Sequence, residues 1–549
     1  MQGVWTVDHV RSAEERVMAV VPAGTLMRRA AFGVATEVAG LLARHTGGVA
    51  GRRVALLVGA GNNGGDALWA GAFLRRRGVA VTAVLLAPNR AHPAGLAALR
   101  RAGGRTVTGA AAGAVVAAAD LVVDGIVGLS ARGPLRPDAA ALVDRITAPV
   151  VAVDLPSGVD PDTGAVTGPA VRAAVTVTFG CRKPGHVLAA GATCSGVVRV
   201  VDIGLGPELG EPDLVLLEPA EVGAAWPVPG PDDDKYTQGV TGIAAGSAAF
   251  PGAAVLATGA AVHATSGMVR YAGQAADAVR ARWPETVTTG AVADAGRVQA
   301  WVVGPGLGTG KAGTEALTHV LGAGVPVCVD ADAITLLATN PGLWDAREPD
   351  TPVVLTPHDR EFARLAGEVG PDRVAAATRA ASQFDAVVLL KGHSTVVAAP
   401  DGRVLVDRAG SAWPATAGSG DVLTGLIGSL LAAGMDPWLA AGSACLVHGL
   451  AAELAARNAP IGASALLDAV PDAIRAVRAA AGASMAAGAS MAAGASTAAG
   501  VGAAAGASMA AGASTAAGVS MAAGVGAAAG AGAVARWTPA AGDGSVSAG

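Results

Sequence analysis

The chain has 549 residues, a formal net charge of −4, and a composition that is 52% hydrophobic but only 3% aromatic. This length predicts two to four domains, because a domain takes roughly 100–200 residues. The nearly balanced charge gives no electrostatic case for nucleic acid or an anionic membrane as a partner, and the apolar stretch near the C-terminus is Ala and Gly rather than the large side chains of a membrane span.

The cysteines and the N-terminus indicate a reducing compartment. Four cysteines are scattered, without a C-x-x-C pair or a Cys/His cluster, so structural zinc and a disulfide framework are both disfavoured. The N-terminus lacks a basic region followed by an unbroken apolar core, which predicts no signal peptide. We therefore expect a cytoplasmic enzyme that acts on small molecules.

The first part of the chain predicts a parallel sheet. Residues 10–45 have helical periodicity, and short apolar runs then alternate with helical stretches up to about residue 205. Uninterrupted apolar strands separated by helices indicate a parallel sheet that is covered on both faces. The apolar runs are residues 52–60, 79–87, 119–128, 148–158 and 173–180.

A second α/β layer is predicted after a stretch rich in Pro and acidic residues. Its domain is expected to span residues 232–480, after a first domain at 1–206 and a linker at 207–231. From 481 to 549 the chain is mostly Ala, Gly, Ser and Met; we expect a disordered tail, since each Gly costs the alternative Ala-driven helix about 1 kcal/mol. The second set of apolar runs is 240–247, 298–308, 325–333, 352–358 and 385–392.

Lysine is rare in this chain. Of 39 basic residues only four are lysine, namely Lys183, Lys235, Lys311 and Lys391. Lysine and arginine are interchangeable on a solvated surface, so a lysine that remains is a candidate for a position where the compact ammonium matters. Chance placement is the alternative for each one.

The segment 54–78 reads as a strand, a Gly-rich turn and a helix. Its G-x-G-x-x-G pattern alone is weak evidence for a dehydrogenase, which also requires an acidic residue at the end of the next strand; Pro88-Asn89-Arg90 stands there instead. The sequence NNGGD at 62–66 opens the helix. Backbone N–H groups there favour phosphate, and the side-chain oxygens favour a cation; an ordinary helix start with Asp66 in its first turn is the alternative.

Four motifs together resemble the NAD(P)HX epimerase family: GNNGGD (61–66), VVDGIVG (122–128), VAVDLPSGVDPDTG (151–164) and TVTFGCRKPG (176–185). The similarity covers roughly residues 5–205 and implies a Rossmann-like, doubly wound fold. It implies that Asp154 is the acid/base on the dihydronicotinamide ring, with Lys183 a candidate to orient it. It implies potassium at Asn63, Asp124 and Ser157. The implied contacts to the hydrated cofactor are Asn62, Asn63, Gly64, Gly65, Asp66, Gly128, Gly133, Pro134 and Asp154.

Two positions depart from the epimerase pattern. Ala67 stands where the family usually has a further Gly, and the loop 128–134 is a loose version of the family's G-T-G-L segment. Epimerisation at C6 requires the hydroxyl to leave and return, or the ring to open and close. Either route needs a proton-carrying carboxylate in surroundings that tolerate a cationic ring.

A second site is indicated by ATAGSGDVLTGLIGSLLAAG at 415–434. Thr416, Gly418, Ser419 and Gly420 precede Asp421, which opens an apolar helix, so exposed N–H groups can form an anion hole for a phosphoryl group beside a carboxylate base. The alternative is a capped helix after a Gly linker. The segment GPGLGTGK (304–311) is not a P-loop, because Pro305 and Ala312 break that pattern.

With the segments 234–257, 304–308, 354–365 and 389–398, this motif resembles the ADP/ATP-dependent NAD(P)HX dehydratases, which have a ribokinase-like fold. The similarity covers roughly residues 232–478. It implies that Asp421 is the base, and that Mg²⁺ is shared between the phosphates of the nucleotide. The implied contacts to the hydrated cofactor are Ala254, Gly306, Gly308, His358 and Asp421, and those to the nucleotide are Lys391, Gly392, His393, Ser394, Thr395 and Gly420.

The two motif sets describe two steps of one repair. We predict epimerisation of the R and S forms of hydrated NADH and NADPH, followed by dehydration of the S form through phosphorylation and elimination, with ADP as the donor by analogy to the family's bacterial members. The alternatives are a ribokinase-like small-molecule kinase with an accessory domain, or a cofactor-binding protein without activity. We also expect a homo-oligomer.

Overall fold

Two sheets, built from eighteen strands, organise the described part of the chain. The computed structural model describes residues 1–130, 132–265, 267–408 and 412–508. Residues 1–485 form one compact unit and residues 486–549 a second. The strands are β1 (Gln2–Val4), β2 (Arg53–Val58), β3 (Ala80–Leu85), β4 (Arg105–Val107), β5 (Leu121–Gly125), β6 (Val150–Val153), β7 (Val175–Phe179), β8 (Val197–Val201), β9 (Leu214–Leu216), β10 (Val240–Ala244), β11 (Met268–Ala272), β12 (Val287–Thr289), β13 (Ala300–Val303), β14 (Val327–Val329), β15 (Val353–Leu355), β16 (Val387–Leu390), β17 (Ser394–Ala398) and β18 (Val404–Arg408).

Helices cover both faces of each sheet. Short 3₁₀ turns add to the α-helices at several loop positions. The α-helices are α1 (Val7–Met18), α2 (Thr25–Thr46), α3 (Asn62–Arg76), α4 (Pro93–Arg101), α5 (Ala111–Ala117), α6 (Pro137–Val143), α7 (Ala189–Cys194), α8 (Pro219–Ala225), α9 (Pro251–Ala264), α10 (Ala276–Arg282), α11 (Lys311–Leu321), α12 (Ala331–Thr339), α13 (Asp359–Ala366), α14 (Arg373–Phe384), α15 (Ser419–Ala432), α16 (Pro437–Ala456) and α17 (Ala463–Ser508).

The first sheet has seven parallel strands in the order β4-β3-β2-β5-β6-β7-β8. Helices α1 to α4 contribute to the core on one face, and α5 and α6 to the core on the other. The strand order reverses between β2 and β5, and a crevice forms at such a switch point, outside the carboxyl ends of the strands. The predicted doubly wound sheet is therefore confirmed, and a ligand site is expected at the carboxyl ends of β2 and β5.

The second sheet has eleven strands in the order β1-β9-β18-β17-β16-β15-β14-β13-β10-β11-β12. The strands from β10 to β16 are parallel, whereas β17 is antiparallel to both of its neighbours. Helices α9, α15 and α16 pack on one face, and α11, α12 and α14 on the other. The predicted second α/β layer is confirmed.

The boundary between the two layers differs from the predicted one. Strand β9 lies inside the stretch expected to be a linker, and it pairs with β1 from the start of the chain: Val4 is opposite Leu214. Val4 is fully buried in the core of the second sheet, together with Val187 and Leu188. Both strands have only three residues, too few to give a period in the sequence. The first and second layers therefore share a core instead of being joined by a free linker.

The C-terminal stretch also differs from the prediction as far as it is described. Helix α17 begins at Ala463 and its backbone stays helical to Ser508, beyond the predicted start of the tail. Buried Leu466, Leu467 and Val470 dock its first turns on the core. Once a helix has nucleated, further Ala-rich turns can be added without a second unfavourable nucleation step. Residues 509–549 lie outside the described residues.

Among the described residues, one helix, α16, has the length and hydropathy of a membrane span. Most of its apolar side chains are buried within the second sheet's core, against α15 and strands β17 and β18. A core helix of this kind passes the same length and hydropathy test as a membrane span.

The shared core predicts that a change at the first strand weakens the second sheet. Replacing Val4 with Asp places an unpaired charge among Val187, Leu188 and Leu214, which we expect to lower the free energy of unfolding by at least about 2 kcal/mol. Hydrogen exchange should then become faster at the amides of β9 and β18. The control is Val200→Asp on β8, where the side chain is 44% exposed; equal effects of the two changes would contradict the shared core.

Candidate active sites

The first candidate site lies at the carboxyl edge of the first sheet. The motif 62–66 begins α3 directly after β2, Asp124 lies near the end of β5, and Asp154 follows β6. Because these strands are parallel neighbours, their carboxyl ends meet at one edge, and the three motifs converge there.

Asp154 is held by a buried ion pair. The Lys183 ammonium lies 2.7 Å from Asp154 Oδ1 and also donates to the Thr178 hydroxyl at 2.8 Å and to the Phe179 carbonyl at 3.1 Å. The Thr178 hydroxyl donates to the same Asp154 oxygen at 3.0 Å. Lys183 is only 1% exposed. Burial by itself lowers the pKa of Lys183, but the nearby Asp154 carboxylate outweighs this and raises it overall.

A histidine fixes the backbone at the same residue. His186 Nδ1 accepts from the Lys183 backbone N–H at 2.9 Å, so its Nε2 carries the proton and donates to the Asp154 carbonyl at 2.7 Å. Burial lowers the pKa of His186 to about 4, so the ring is neutral near pH 7. Asp154 has φ +64°, a left-handed conformation that is costly outside glycine. The histidine and lysine contacts hold the carboxylate in this conformation.

Two further carboxylates face a cavity of about 590 Å³ beside this pair. Glu14 from α1 and Asp66 from α3 both line it, together with Asn62. Asp66 is 7% exposed, and its Oδ1 has no hydrogen-bond partner among the described residues. Burial, reinforced by the charges of Asp154 and Glu14, raises the pKa of Asp66 well above its usual value. Sequence reasoning selected Asp66 but missed Glu14.

The predicted metal ligands also come together. The fully buried Asp124 carboxylate accepts from the Ser157 hydroxyl at 2.7 Å and from the Ser157 backbone N–H at 2.8 Å. Burial raises the pKa of Asp124 to about 6, because these hydrogen bonds only partly offset the desolvation. A Cβ added at Gly128 would lie 2.9 Å from Asn63 Oδ1, so the amide abuts this loop. Asp124 forms no ion pair with any described side chain.

The two departures from the epimerase pattern have structural explanations. Ala67 is fully buried, and its methyl group lies against Gly125, where the absence of a Cβ leaves the room it needs. In the loop 128–134, Gly133 and Pro134 are exposed and Arg132 pairs with Asp162 at 3.6 Å. Gly128 at the start of this loop is buried beside Asn63, whereas Arg132, Gly133 and Pro134 are exposed; its residue 131 is outside the described residues.

The second candidate site is a cavity of about 610 Å³ lined by residues at the carboxyl ends of β14, β15 and β16 and by the start of α15. Most of the predicted nucleotide-binding side chains and the predicted base line it together. The predicted residues among its lining are His358, Lys391, Gly392, His393, Thr395, Gly420 and Asp421.

A second lysine–aspartate pair lies in this cavity. Lys391 Nζ is 2.7 Å from Oδ1 of Asp330, which is 2% exposed. A Cβ at Gly420 would lie 3.5 Å from the same ammonium, so the start of α15 touches the pair. Burial lowers the pKa of Lys391, but Asp330 and Glu361 raise it overall, so it stays charged.

Asp421 occupies the first turn of α15 and has no ion-pair partner among the described residues. Gly418 precedes the helix with φ +84°, the left-handed turn that lets the backbone N–H groups of the helix start face the cavity. Burial, with a smaller contribution from Asp330, raises the pKa of Asp421 to about 7. A carboxylate with this pKa is well matched to take up a proton near neutral pH.

His358 caps helix α13. Its Nδ1 accepts from the backbone N–H groups of Arg360 and Glu361 at 3.1 and 3.2 Å. In return, the backbone N–H of His358 donates to a Glu361 carboxylate oxygen at 2.9 Å. Its side chain is 49% exposed and borders the cavity. The motif TPHxxEF is therefore a reciprocal helix cap, and the second ring nitrogen of His358 lies 3.4 Å from the Glu361 carboxylate at the border of the cavity.

Four predicted contacts do not line this cavity. Ser394 is buried, and its hydroxyl has no partner among the described residues. Ala254 is fully buried in α9, beneath Gly246. Gly306 and Gly308 form a left-handed turn after β13, and the Gly308 N–H donates to Asp332 at 2.8 Å.

Sequence reasoning missed three residues that line the cavity: Asp330, Glu361 and His448. The signal for Asp330 was available, because it ends an apolar strand in the same way as Asp154. His448 Nε2 lies 3.0 Å from the Ser419 hydroxyl, a contact between two helices that no local pattern reveals.

The ion pair at Asp154 gives a stability prediction. We expect Lys183→Met to lower the free energy of unfolding by about 3–5 kcal/mol, because it leaves a buried carboxylate without its counter-charge. The matched control is Lys311→Met, whose side chain is 90% exposed and whose change should stay within about 0.5 kcal/mol. Urea unfolding measures both, and similar values for the two variants would contradict the buried pair.

Two family models match the chain. Residues 23–185 match the family described as YjeF-related protein N-terminus, and residues 241–474 match the family described as NAD(P)H-hydrate dehydratase. The first match contains the lysine-held Asp154, and the second contains Lys391 and Asp421.

Full-length relatives have the same two-part arrangement. The chain is 58% identical over 439 residues to the bifunctional NAD(P)H-hydrate repair enzyme Nnr of Mycobacterium tuberculosis. The matched region covers 79% of this chain and 90% of that protein. It is 54% identical to Nnr of Mycobacterium leprae, over 87% of this chain and all of the relative. It is 35% identical to Nnr of Escherichia coli, over 73% and 81% of the two chains.

Proposed function

This chain belongs to the family of bifunctional NAD(P)H-hydrate repair enzymes, and we propose how its two sites divide the repair. The site of the first sheet interconverts the R and S forms of hydrated NADH and NADPH at C6. The site of the second sheet uses ADP to dehydrate the S form. The observation that carries this division is that each sheet has its own lysine–aspartate pair at its carboxyl edge, with the aspartate buried in both.

At the first site, Asp154 is the acid/base at the ring. Lys183 and Thr178 occupy one of its oxygens, which orients the carboxylate and leaves the other oxygen to exchange a proton. Asp66 and Glu14 line the cavity beside this carboxylate, so carboxyl groups are available near the ring for proton exchange. The segment 62–66 would hold the phosphates of the hydrated cofactor at the start of α3.

Potassium is the cation we propose for the oxygen cluster at the first site. Asn63, Asp124 and Ser157 would hold it, because they offer an amide, a buried carboxylate and a hydroxyl oxygen. A bound K⁺ would supply the positive charge that the unpaired Asp124 carboxylate lacks.

At the second site, Asp421 takes the proton from the C6 hydroxyl while the hydroxyl oxygen receives the phosphoryl group. The backbone N–H groups at 418–420 and the Lys391 ammonium stabilise the charge on the moving group. The nitrogen lone pair then forms the N1–C6 double bond as phosphate leaves, and loss of a proton from C5 gives the C5–C6 double bond of the reduced cofactor. Magnesium would neutralise the nucleotide phosphates, and Asp330 and Glu361 are carboxylates that line the cavity where it would bind.

Three accompanying assignments are also proposals. ADP as the donor follows the family's bacterial members. The functional parts are residues 5–206 for epimerisation and residues 207–480 with β1 for dehydration, since β1 and β9 complete the second sheet. The four cysteines are free and buried, which suits the reduced cytoplasm. A homo-oligomer stays a prediction.

A pair of isosteric variants tests the division. Asp421→Asn should abolish ADP-dependent recovery of the reduced cofactor, because the base is lost, and should still interconvert the epimers. Asp154→Asn, given both epimers and ADP, should convert the S fraction at the normal rate and then slow to the non-enzymatic rate. Reduced-cofactor absorbance and chromatography of the epimers measure both. Conversion of both epimers at the intact rate by the Asp154 variant would remove Asp154 from the mechanism.

The pKa of Asp421 predicts a pH dependence for the dehydration step. Only the ionised carboxylate can accept the proton, and burial raises its pKa to about 7. The single-turnover rate of dehydration should therefore fall about tenfold for each pH unit below about 7 and level off above it. A rate that stays constant from pH 5 to pH 8 would exclude Asp421 as the base.

A further inference from the structure

Glu14 is turned inward by the helix that carries it. Helix α1 is anchored by Val10, Ala13 and Val17, all buried in the core of the first sheet. Glu14 lies beside this apolar stripe and lines the cavity of about 590 Å³. The next residue, Glu15, is exposed on the same helix. The two adjacent glutamates are thus in opposite environments, and only Glu14 faces the site.

The cavity is lined by two carboxylates, Glu14 and Asp66, and by Arg28, whereas Lys183 and Asp154 lie outside its lining. Lys183 is committed to Asp154 at 2.7 Å, and the other two carboxylates, Glu14 and Asp66, have no such partner at this distance among the described residues. Burial raises the pKa of Glu14, and the charges of Lys183 and, to a smaller extent, Arg11 only partly offset this. Asp66 has a buried oxygen without a hydrogen-bond partner that faces the same space. A proton on either of these carboxylates relieves the repulsion between them.

The reaction itself asks for a second proton carrier. Epimerisation at C6 moves a hydroxyl from one face of the ring to the other, so a proton is needed on the face where the hydroxyl leaves and a base on the face where it returns. Asp154, from the carboxyl end of β6, has one oxygen occupied by Lys183 and Thr178. Glu14 approaches from α1, a different element. Two carboxyls on separate elements can attend separate faces of one ring.

We propose that Glu14 is a second acid–base residue of the epimerase site. It acts as the acid when Asp154 acts as the base, and Asp66 lines the same cavity. This rests on the proposed function of the first site. Protonated Glu14 gives its proton to the C6 hydroxyl, the C6–O bond breaks, and water leaves as the nitrogen lone pair forms the N1–C6 double bond. Water then adds to the other face of C6, the electron pair returns to nitrogen, and Asp154 takes the released proton. The reverse epimerisation starts from this protonation state.

The variant Glu14→Gln tests the proposal in the full-length enzyme, with Glu15→Gln as the matched control one residue away. We expect Glu14→Gln to lower kcat for epimerisation about 100-fold or more with little change in KM. Dehydration of the pure S hydrate and the melting temperature should stay as in the unchanged protein. Glu15→Gln should leave all four quantities unchanged. Glu14→Asp, which keeps the carboxyl group, should recover part of the lost rate.

A labelled-water experiment separates chemistry from positioning. In ¹⁸O-water the intact enzyme should place solvent oxygen on C6 as it epimerises, and Glu14→Gln should lose this incorporation to the same extent as the epimerisation rate. Epimerisation by Glu14→Gln within twofold of normal, or a raised KM with normal kcat, overturns the proposal. If Asp154→Asn abolishes epimerisation while Glu14→Gln does not, only Glu14 is excluded; if neither variant affects it, the proposed function of the first site fails as well.

Discussion

The ion pair between Lys183 and Asp154 determines much of this structure. The ammonium is almost completely buried and reaches a carboxylate, a hydroxyl and a carbonyl oxygen at once. The turn that follows it carries Val187 and Leu188 into the core of the second sheet. A buried charge that loses its partner costs several kcal/mol. The same turn therefore fixes the proposed acid/base of one site and joins the two sheets.

Both sites are built in the same way, which explains the use of lysine. In each, a buried parallel strand ends in an aspartate, and a lysine lies 2.7 Å from one of its oxygens. At the carboxyl end of such a strand a side chain is already out of water, so an aspartate there needs a counter-charge. Two of the four lysines, Lys183 and Lys391, serve this purpose. The exposed Lys311 shows that rarity alone does not identify such a position.

The sequence predicted the features that depend on short, continuous stretches of the chain. All ten long apolar runs became strands, and the motifs at 62–66 and 415–421 lie at helix starts beside cavities. The three-residue strands β1 and β9 carry no period, and their pairing joins residues more than 200 positions apart. Glu14 and Glu15 are indistinguishable in the sequence, because only the packing of α1 separates them. The helical backbone at 482–508 was not predicted, because the glycines there disfavour a helix.

The two sites differ in how their proposed base is held, and this explains why one chain keeps two sites. At the first site Asp154 is held by Lys183, and Glu14 and Asp66 line the cavity beside that pair. A phosphoryl group in transfer is favoured where backbone N–H groups and Lys391 face it, and it needs a nearby base that is not locked in an ion pair. Asp421, with a pKa of about 7, meets that need. One carboxylate cannot be both locked against a lysine and free to take up a proton, so the proposed bases stand at two sites and the S epimer passes from the first to the second.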